Sequence, residues 1–138
     1  MPVAAQPYIN FSGACEEALN FYKQAVDAKV GMMMRYGEAP PDSGVTPGQE
    51  EKVLHCAFTI GSSTLFASDG ECSGKTNLHG IAISLTVKDP AEAERAFKAL
   101  SAGGSVQAPL MSTFFAKSFG MLQDKFGLGW MILCPAEM

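Results

Sequence analysis

The stretch GIAISLTVKDPAEAERAFKALSAGG, residues 80–104, carries two periods in succession. Ile81, Ile83, Leu85 and Val87 alternate with Ala82, Ser84 and Thr86, the two-residue period of a strand with one apolar face. Asp89-Pro90-Ala91-Glu92 then starts a helix: an N-cap acceptor, a proline at the first helical position and a glutamate at N3. Ala93, Ala96, Phe97 and Leu100 form its apolar stripe, and Gly103-Gly104 ends it. The same succession opens the chain. A weaker strand over residues 6–11 precedes a helix predicted over 14–27, with Ala18, Phe21, Tyr22 and Ala25 at helical spacing.

The remaining segments read as strands. Residues 53–60 alternate, with Leu54, Cys56, Phe58 and Ile60 on one face and Val53, His55, Ala57 and Thr59 on the other. Gly61-Ser62 turns that strand into 63–68. Gly127 introduces a last strand, 128–134, and weaker strands are predicted over 30–36, 105–111 and 116–123. Residues 37–49 and 69–77 read as loops. The order is strand, helix, three strands, twice over. Sliding the chain by 75 residues lays Glu17-Ala18 on Glu92-Ala93, Tyr22-Lys23 on Phe97-Lys98 and 53–59 on 128–134. The expectation is an α+β chain forming a single domain over 1–138. It comprises two βαβββ modules, about 1–75 and 76–138, whose curved, mostly antiparallel sheet carries its helices on the outer face.

Composition narrows the function. The chain has 138 residues, 10 Lys+Arg against 14 Asp+Glu, a net charge of −4, and 47% hydrophobic residues. It is long enough to bury a core without disulfides or a structural metal. It lacks the basic footprint of a nucleic-acid or anionic-membrane partner. The longest uncharged run, 99–116, is broken by Gly103, Gly104 and Pro109, so no membrane span is predicted. The opening residues have no basic start or clean apolar run, which predicts a cytoplasmic protein. Its four scattered cysteines, Cys15, Cys56, Cys72 and Cys134, are expected to stay reduced.

Several segments together are similar to a known family. They are the opening Pro7-Tyr8-Ile9-Asn10-Phe11-Ser12-Gly13 with Cys15-Glu16-Glu17-Ala18-Leu19-Asn20-Phe21-Tyr22-Lys23, then Met34-Arg35-Tyr36-Gly37-Glu38-Ala39-Pro40 and Ala67-Ser68-Asp69. At the other end stand Phe119-Gly120-Met121, Asp124-Lys125-Phe126-Gly127 and Trp130-Met131-Ile132. The chain resembles the PhnB-like branch of the vicinal-oxygen-chelate (glyoxalase/bleomycin-resistance/dioxygenase) superfamily. The resemblance implies paired βαβββ modules, a homodimer and a pocket on the concave sheet. Such proteins often bear a demethylubiquinone methyltransferase label, which is not adopted, because no Gly-rich strand-to-helix loop for a nucleotide-like methyl donor is present. The superfamily's usual chemistry implies a divalent metal held by His and Glu from the first and last strands of each module. Here those strands offer Tyr8 and Asn10, then Ala82, Ser84 and Thr86, then Trp130, Ile132 and Leu133. His55 is the one plausible inward ligand, so no superfamily-type metal and no other cofactor are expected.

The candidate ligand-binding residues are His55, Trp130, Phe66, Tyr8, Ser68, Asp69 and Lys117. His55 stands above small Ala57 and Thr59 and reads as a pocket histidine or a satisfied core histidine. Trp130, which the 75-residue slide places at the position of His55, reads as a stacking platform or as core. Ser68, Asp69 and Lys117 could orient a ligand at the rim, although Asp69-Gly70 is equally turn chemistry. Relatives commonly have a Trp-Gly-Ala-Arg-type run where this chain has Phe115-Ala116-Lys117, and a lysine lacks the fork geometry of arginine. Met32-Met33-Met34 reads as adaptable core or interface. No nucleophile elbow or Cys–His–carboxylate arrangement is visible. Two functions follow: a metal-independent binder of a small organic ligand, or a metal-dependent isomerase, lyase or dioxygenase using His55.

Overall fold

The computed structural model describes residues 3–40 and 47–136. Residues 41–46, in the middle of the expected 37–49 loop, lie outside the described residues. The chain divides into two compact units, residues 1–76 and 77–138. The first runs β1 (Tyr8–Asn10), α1 (Cys15–Val26), β2 (Lys29–Arg35), β3 (Val53–Ile60), β4 (Ser63–Ser68), with a short 3-10 turn at Tyr36–Glu38. The second runs β5 (Ala82–Thr86), α2 (Pro90–Ser101), β6 (Ser105–Met111), β7 (Ala116–Gln123), β8 (Gly129–Pro135). Each is a βαβββ module. Their four-stranded sheets have the orders β1-β4-β3-β2 and β5-β8-β7-β6, with the first pair parallel and the others antiparallel. No helix among the described residues is long and apolar enough to cross a membrane.

Each helix covers one face of its own sheet. α2 starts as its sequence dictates: the Asp89 carboxylate accepts from the Glu92 N–H at 2.8 Å, and Pro90 occupies the first turn. It buries Ala93, Ala96 and Leu100. α1 buries Cys15, Ala18, Leu19 and Tyr22, a stripe rotated from the expected Ala18, Phe21, Tyr22 and Ala25. The Tyr22 ring lies parallel to that of Phe58, with centroids 6.4 Å apart, which seats the helix on β3. The end of α1 is a left-handed turn at Asp27.

Strand pairing corrects the internal alignment. The 75-residue slide superposes the helices, Cys15–Val26 on Pro90–Ser101, but lays β3 on β8. In sheet order the counterpart of β3 is β7 and that of β4 is β8. The two modules join their second and third strands by connections of different length, 36–52 against 112–115, so one offset cannot serve both helices and strands.

Two glycines in the second unit show how closely its layers pack. A Cβ on Gly104 would stand 2.1 Å from the Gln123 carbonyl oxygen and 2.8 Å from the Asp124 carbonyl carbon, both backbone. A Cβ on Gly120 would meet two side chains first, Phe97 Cε2 at 2.7 Å and Leu110 Cδ2 at 3.0 Å, and one backbone atom, the Ala108 carbonyl oxygen, at 3.1 Å. Side chains can yield where backbone cannot. Gly104→Ala is therefore expected to cost about 3 kcal/mol and Gly120→Ala about 1–2 kcal/mol, read from urea midpoints at constant slope.

Candidate functional site

In the first unit, pairing brings three of the expected residues together on the face opposite α1. Parallel pairing of β1 with β4 sets Tyr8 beside Phe66, and antiparallel pairing of β3 with β4 sets Phe66 beside Ala57, two residues from His55 on the same face. Ile9, Leu65, Ala67, Cys56 and Phe58 alternate with them and are buried. Ring centroids lie 5.6 Å apart for Tyr8–His55, 5.3 Å for His55–Phe66 and 6.4 Å for Tyr8–Phe66. His55 Nδ1 is 3.4 Å from the Tyr8 hydroxyl. Tyr8 remains 55% exposed, so this aromatic platform presents open ring surface. Small Ala57 and Thr59 continue the face along β3, as the alternation predicted.

Ser68 and Asp69, expected at the rim, lie inside. Asp69 is 1% exposed. Its Oδ1 accepts from the Gly13 and Cys15 backbone N–H groups, each at 2.8 Å, and its Oδ2 accepts from the Val53 N–H at 2.8 Å. A carboxylate so engaged holds a helix start and a strand start. Ser68 Oγ accepts from the Gly70 N–H at 2.8 Å, closing the turn that follows β4.

Trp130 and Lys117 belong to the second unit. Trp130 pairs with Leu122 and Ile83 on the face that α2 covers, and it is 1% exposed. Its Nε1–H donates to Asp124 Oδ2 at 2.9 Å, while Asp124 Oδ1 accepts from the Phe126 and Leu128 N–H groups. The placement of Trp130 at the position of His55 is thus corrected: His55 stands on the open face of its sheet and Trp130 on the covered one. Lys117 is exposed near the start of β7. It follows exposed Phe114 and Phe115, whose rings meet at 5.2 Å, with Phe115 against Phe119 at 5.3 Å. The sequence places Phe114 and Phe115 in an uncharged run before Lys117, but their clustering with Phe119 follows from the fold. Among the described residues, no group of three or more His, Cys, Asp or Glu side chains is placed to hold a metal ion.

With this geometry in view, the family model described as 3-demethylubiquinone-9 3-methyltransferase matches residues 4–133. The chain belongs to that PhnB-like family. YjdN of Escherichia coli is 29% identical over 140 residues, which cover 96% of this chain and 94% of YjdN. Protein PA1353 of Pseudomonas aeruginosa has a crystal structure with TM-score 0.84 and 39% identity, covering 99% of this chain and 100% of that one. The PhnB protein of Bacillus cereus gives TM-score 0.79 at 28% identity, covering 96% of this chain and 99% of its own. The fold is also that of the fosfomycin resistance protein FosX of Mesorhizobium loti, at TM-score 0.63 and 11% identity, covering 99% of this chain and 94% of that one.

The PhnB-like chain buries three of its four thiols. Cys15 and Cys56 are buried with their sulfurs 3.9 Å apart, and Cys134 is buried as well. The shared hydrogen bond with Cys56, together with burial, holds the Cys15 thiol protonated far above the ordinary thiol range. Cys72, on the loop after β4, is the most accessible of the four. Burial and the nearby Asp69 carboxyl push the Cys72 thiol up, so Ellman's reagent should titrate about one equivalent in the native protein, more slowly than a free thiol and lost in Cys72→Ser, with the others reacting only on unfolding. Asp69→Ala would leave three N–H groups without their acceptor and is expected to lower Tm by about 10 °C or more. Asp69→Asn, which keeps one acceptor oxygen, should fall between it and the parent in a calorimetric scan.

Proposed function

We propose that the protein binds a small, largely apolar organic molecule on the open face of its first sheet, without a superfamily-type divalent metal. The observation that carries this reading is the convergence of Tyr8, His55 and Phe66 into one accessible platform. Flat ring surface with a few polar atoms at its edge is what binding sites for such molecules use. His55 supplies the polar edge, with the Tyr8 hydroxyl beside it. Its ring therefore acts in the platform and not as a buried core group. The ligand set supports the absence of a hard cation, because no Asp or Glu occurs in β1, β2, β3 or β4. The family's description names methyl transfer. The strand-to-helix connections here, residues 11–14 with one glycine and 87–89 with none, offer no Gly-rich cradle for a nucleotide-like donor. The name of FosX, a protein of the same fold, refers to antibiotic resistance, which fits binding of a small organic compound.

We place the protein in the cytoplasm as a homodimer; exposed apolar side chains on the edge strand β6, namely Val106 and Met111, support the dimer. Light scattering at micromolar concentration should give about twice the 14.6 kDa chain mass.

Calorimetric titration with a panel of planar aromatic compounds tests the platform. A compound that binds should lose about 2- to 12-fold in affinity in each of Phe66→Ala and His55→Ala, the worth of one aromatic contact. Purified protein should hold less than about a tenth of an equivalent of zinc, nickel or manganese, since one imidazole cannot retain them. Near-stoichiometric divalent metal that vanishes in His55→Ala would overturn the reading in favour of a metal-dependent enzyme. A His55→Ala protein that loses only melting temperature would return the histidine to the core.

A further inference from the structure

β2 is an edge strand that turns two methionines to solvent: Met32 is 51% exposed and Met34 41%. The register fixes their side. Val30 pairs with Phe58 and Met33 with Cys56, both buried partners on the face that α1 covers, whereas Met34 pairs with His55 on the open face. Met32, adjacent to Met33, shares the face of Met34. An irregularity between Val30 and Met33 sets Gly31 and Met32 opposite the single residue Ala57. Along a strand the Cα atoms of i and i+2 are roughly 6.6 Å apart, and directly opposed Cβ atoms roughly 5 Å. Two flexible thioethers and one imidazole therefore lie within reach of a common point.

These three ligands are neutral, and two are soft. Thioether sulfur favours cuprous and silver ions over zinc, nickel or manganese, and imidazole is an acceptable third donor for the same ions. The absence of carboxylates from the four strands removes the donors a hard cation requires. His55 is poised for the role. When Nδ1–H donates to the Tyr8 hydroxyl oxygen, 3.4 Å away, the lone pair on Nε2 is left for a metal. We infer that Met32, Met34 and His55 form a site for one soft monovalent metal ion, cuprous in a reducing cell. The site borders the aromatic platform through His55, but the methionines lie outside that platform, so either can fail without the other.

Silver(I), the redox-inert analogue, is the probe. Cys72→Ser protein removes the accessible thiol and should bind one silver ion by native mass spectrometry. In methionine-methyl NMR spectra, the Met32 and Met34 resonances should move while that of Met121, in the second unit, stays. Met32→Leu/Met34→Leu in the same background conserves side-chain volume and should weaken silver binding about tenfold or more, without changing affinity for aromatic compounds. His55→Ala should weaken both. Silver that leaves the two methyl resonances unmoved, equal affinity in the double-leucine protein, or binding lost only on replacing Cys15, Cys56 or Cys134, would each overturn the site. Should the double variant unfold, the methyl shifts of the methionine-containing protein decide alone.

Discussion

The first module depends on one buried carboxylate. Asp69 follows β4, and its two oxygens collect the N–H groups of Gly13 and Cys15, at the start of α1, and of Val53, at the start of β3. α1 has no side-chain cap of its own, since Ala14 stands at that position. An acidic group beside the first turn both accepts its free donors and meets the positive end of the helix dipole. Remove it and three elements lose their common tie. The second module solves a comparable problem elsewhere: Asp124 gathers the Phe126 and Leu128 amides and the Trp130 indole in the turn before β8. In both units a buried carboxylate gathers N–H donors from separate points of the chain, but only Asp69 reaches the start of a helix.

Much of this architecture was legible in the sequence, because the signals were local. The Asp89-Pro90 start of α2 and the alternation along β3 and β4 lie within a few residues of what they specify. The Asp69 clamp was not legible: its partners are 56, 54 and 16 residues away, and Asp69-Gly70 carries a turn signature of its own. The alignment of the modules misled at Trp130 for a related reason. Helices of equal length matched at one offset, while the longer connection between β2 and β3 displaced the strands. A residue on a covered face was thereby read as the equivalent of one on an open face.

The open face was legible only in part. Alternation along β3 put His55 on the side opposite Cys56 and Phe58, whereas the neighbourhood of Tyr8 and Phe66 depends on strand pairings that no local pattern specifies. Met32 and Met34 were read as adaptable packing or interface. Their exposure depends on β2 lying at the sheet edge and on a register irregularity that no periodicity reveals. Hydrophobic type alone could not distinguish a methionine at the edge from one in the interior.

The parallel pairing of β1 with β4 also bears on how the chain emerges during synthesis. β1 has a single neighbour in its sheet, and its partners Phe66, Ala67 and Ser68 are made nearly 60 residues after Tyr8, Ile9 and Asn10. β5 likewise waits for β8. The first strand of each module is thus the last to find its place, and the entropy of closing that long loop is met only after the β3–β4 hairpin exists to receive it. A nascent chain stalled before residue 63 would present β1 as an unpaired strand with Ile9 uncovered. That interval is when this protein is most open to misassociation with its neighbours.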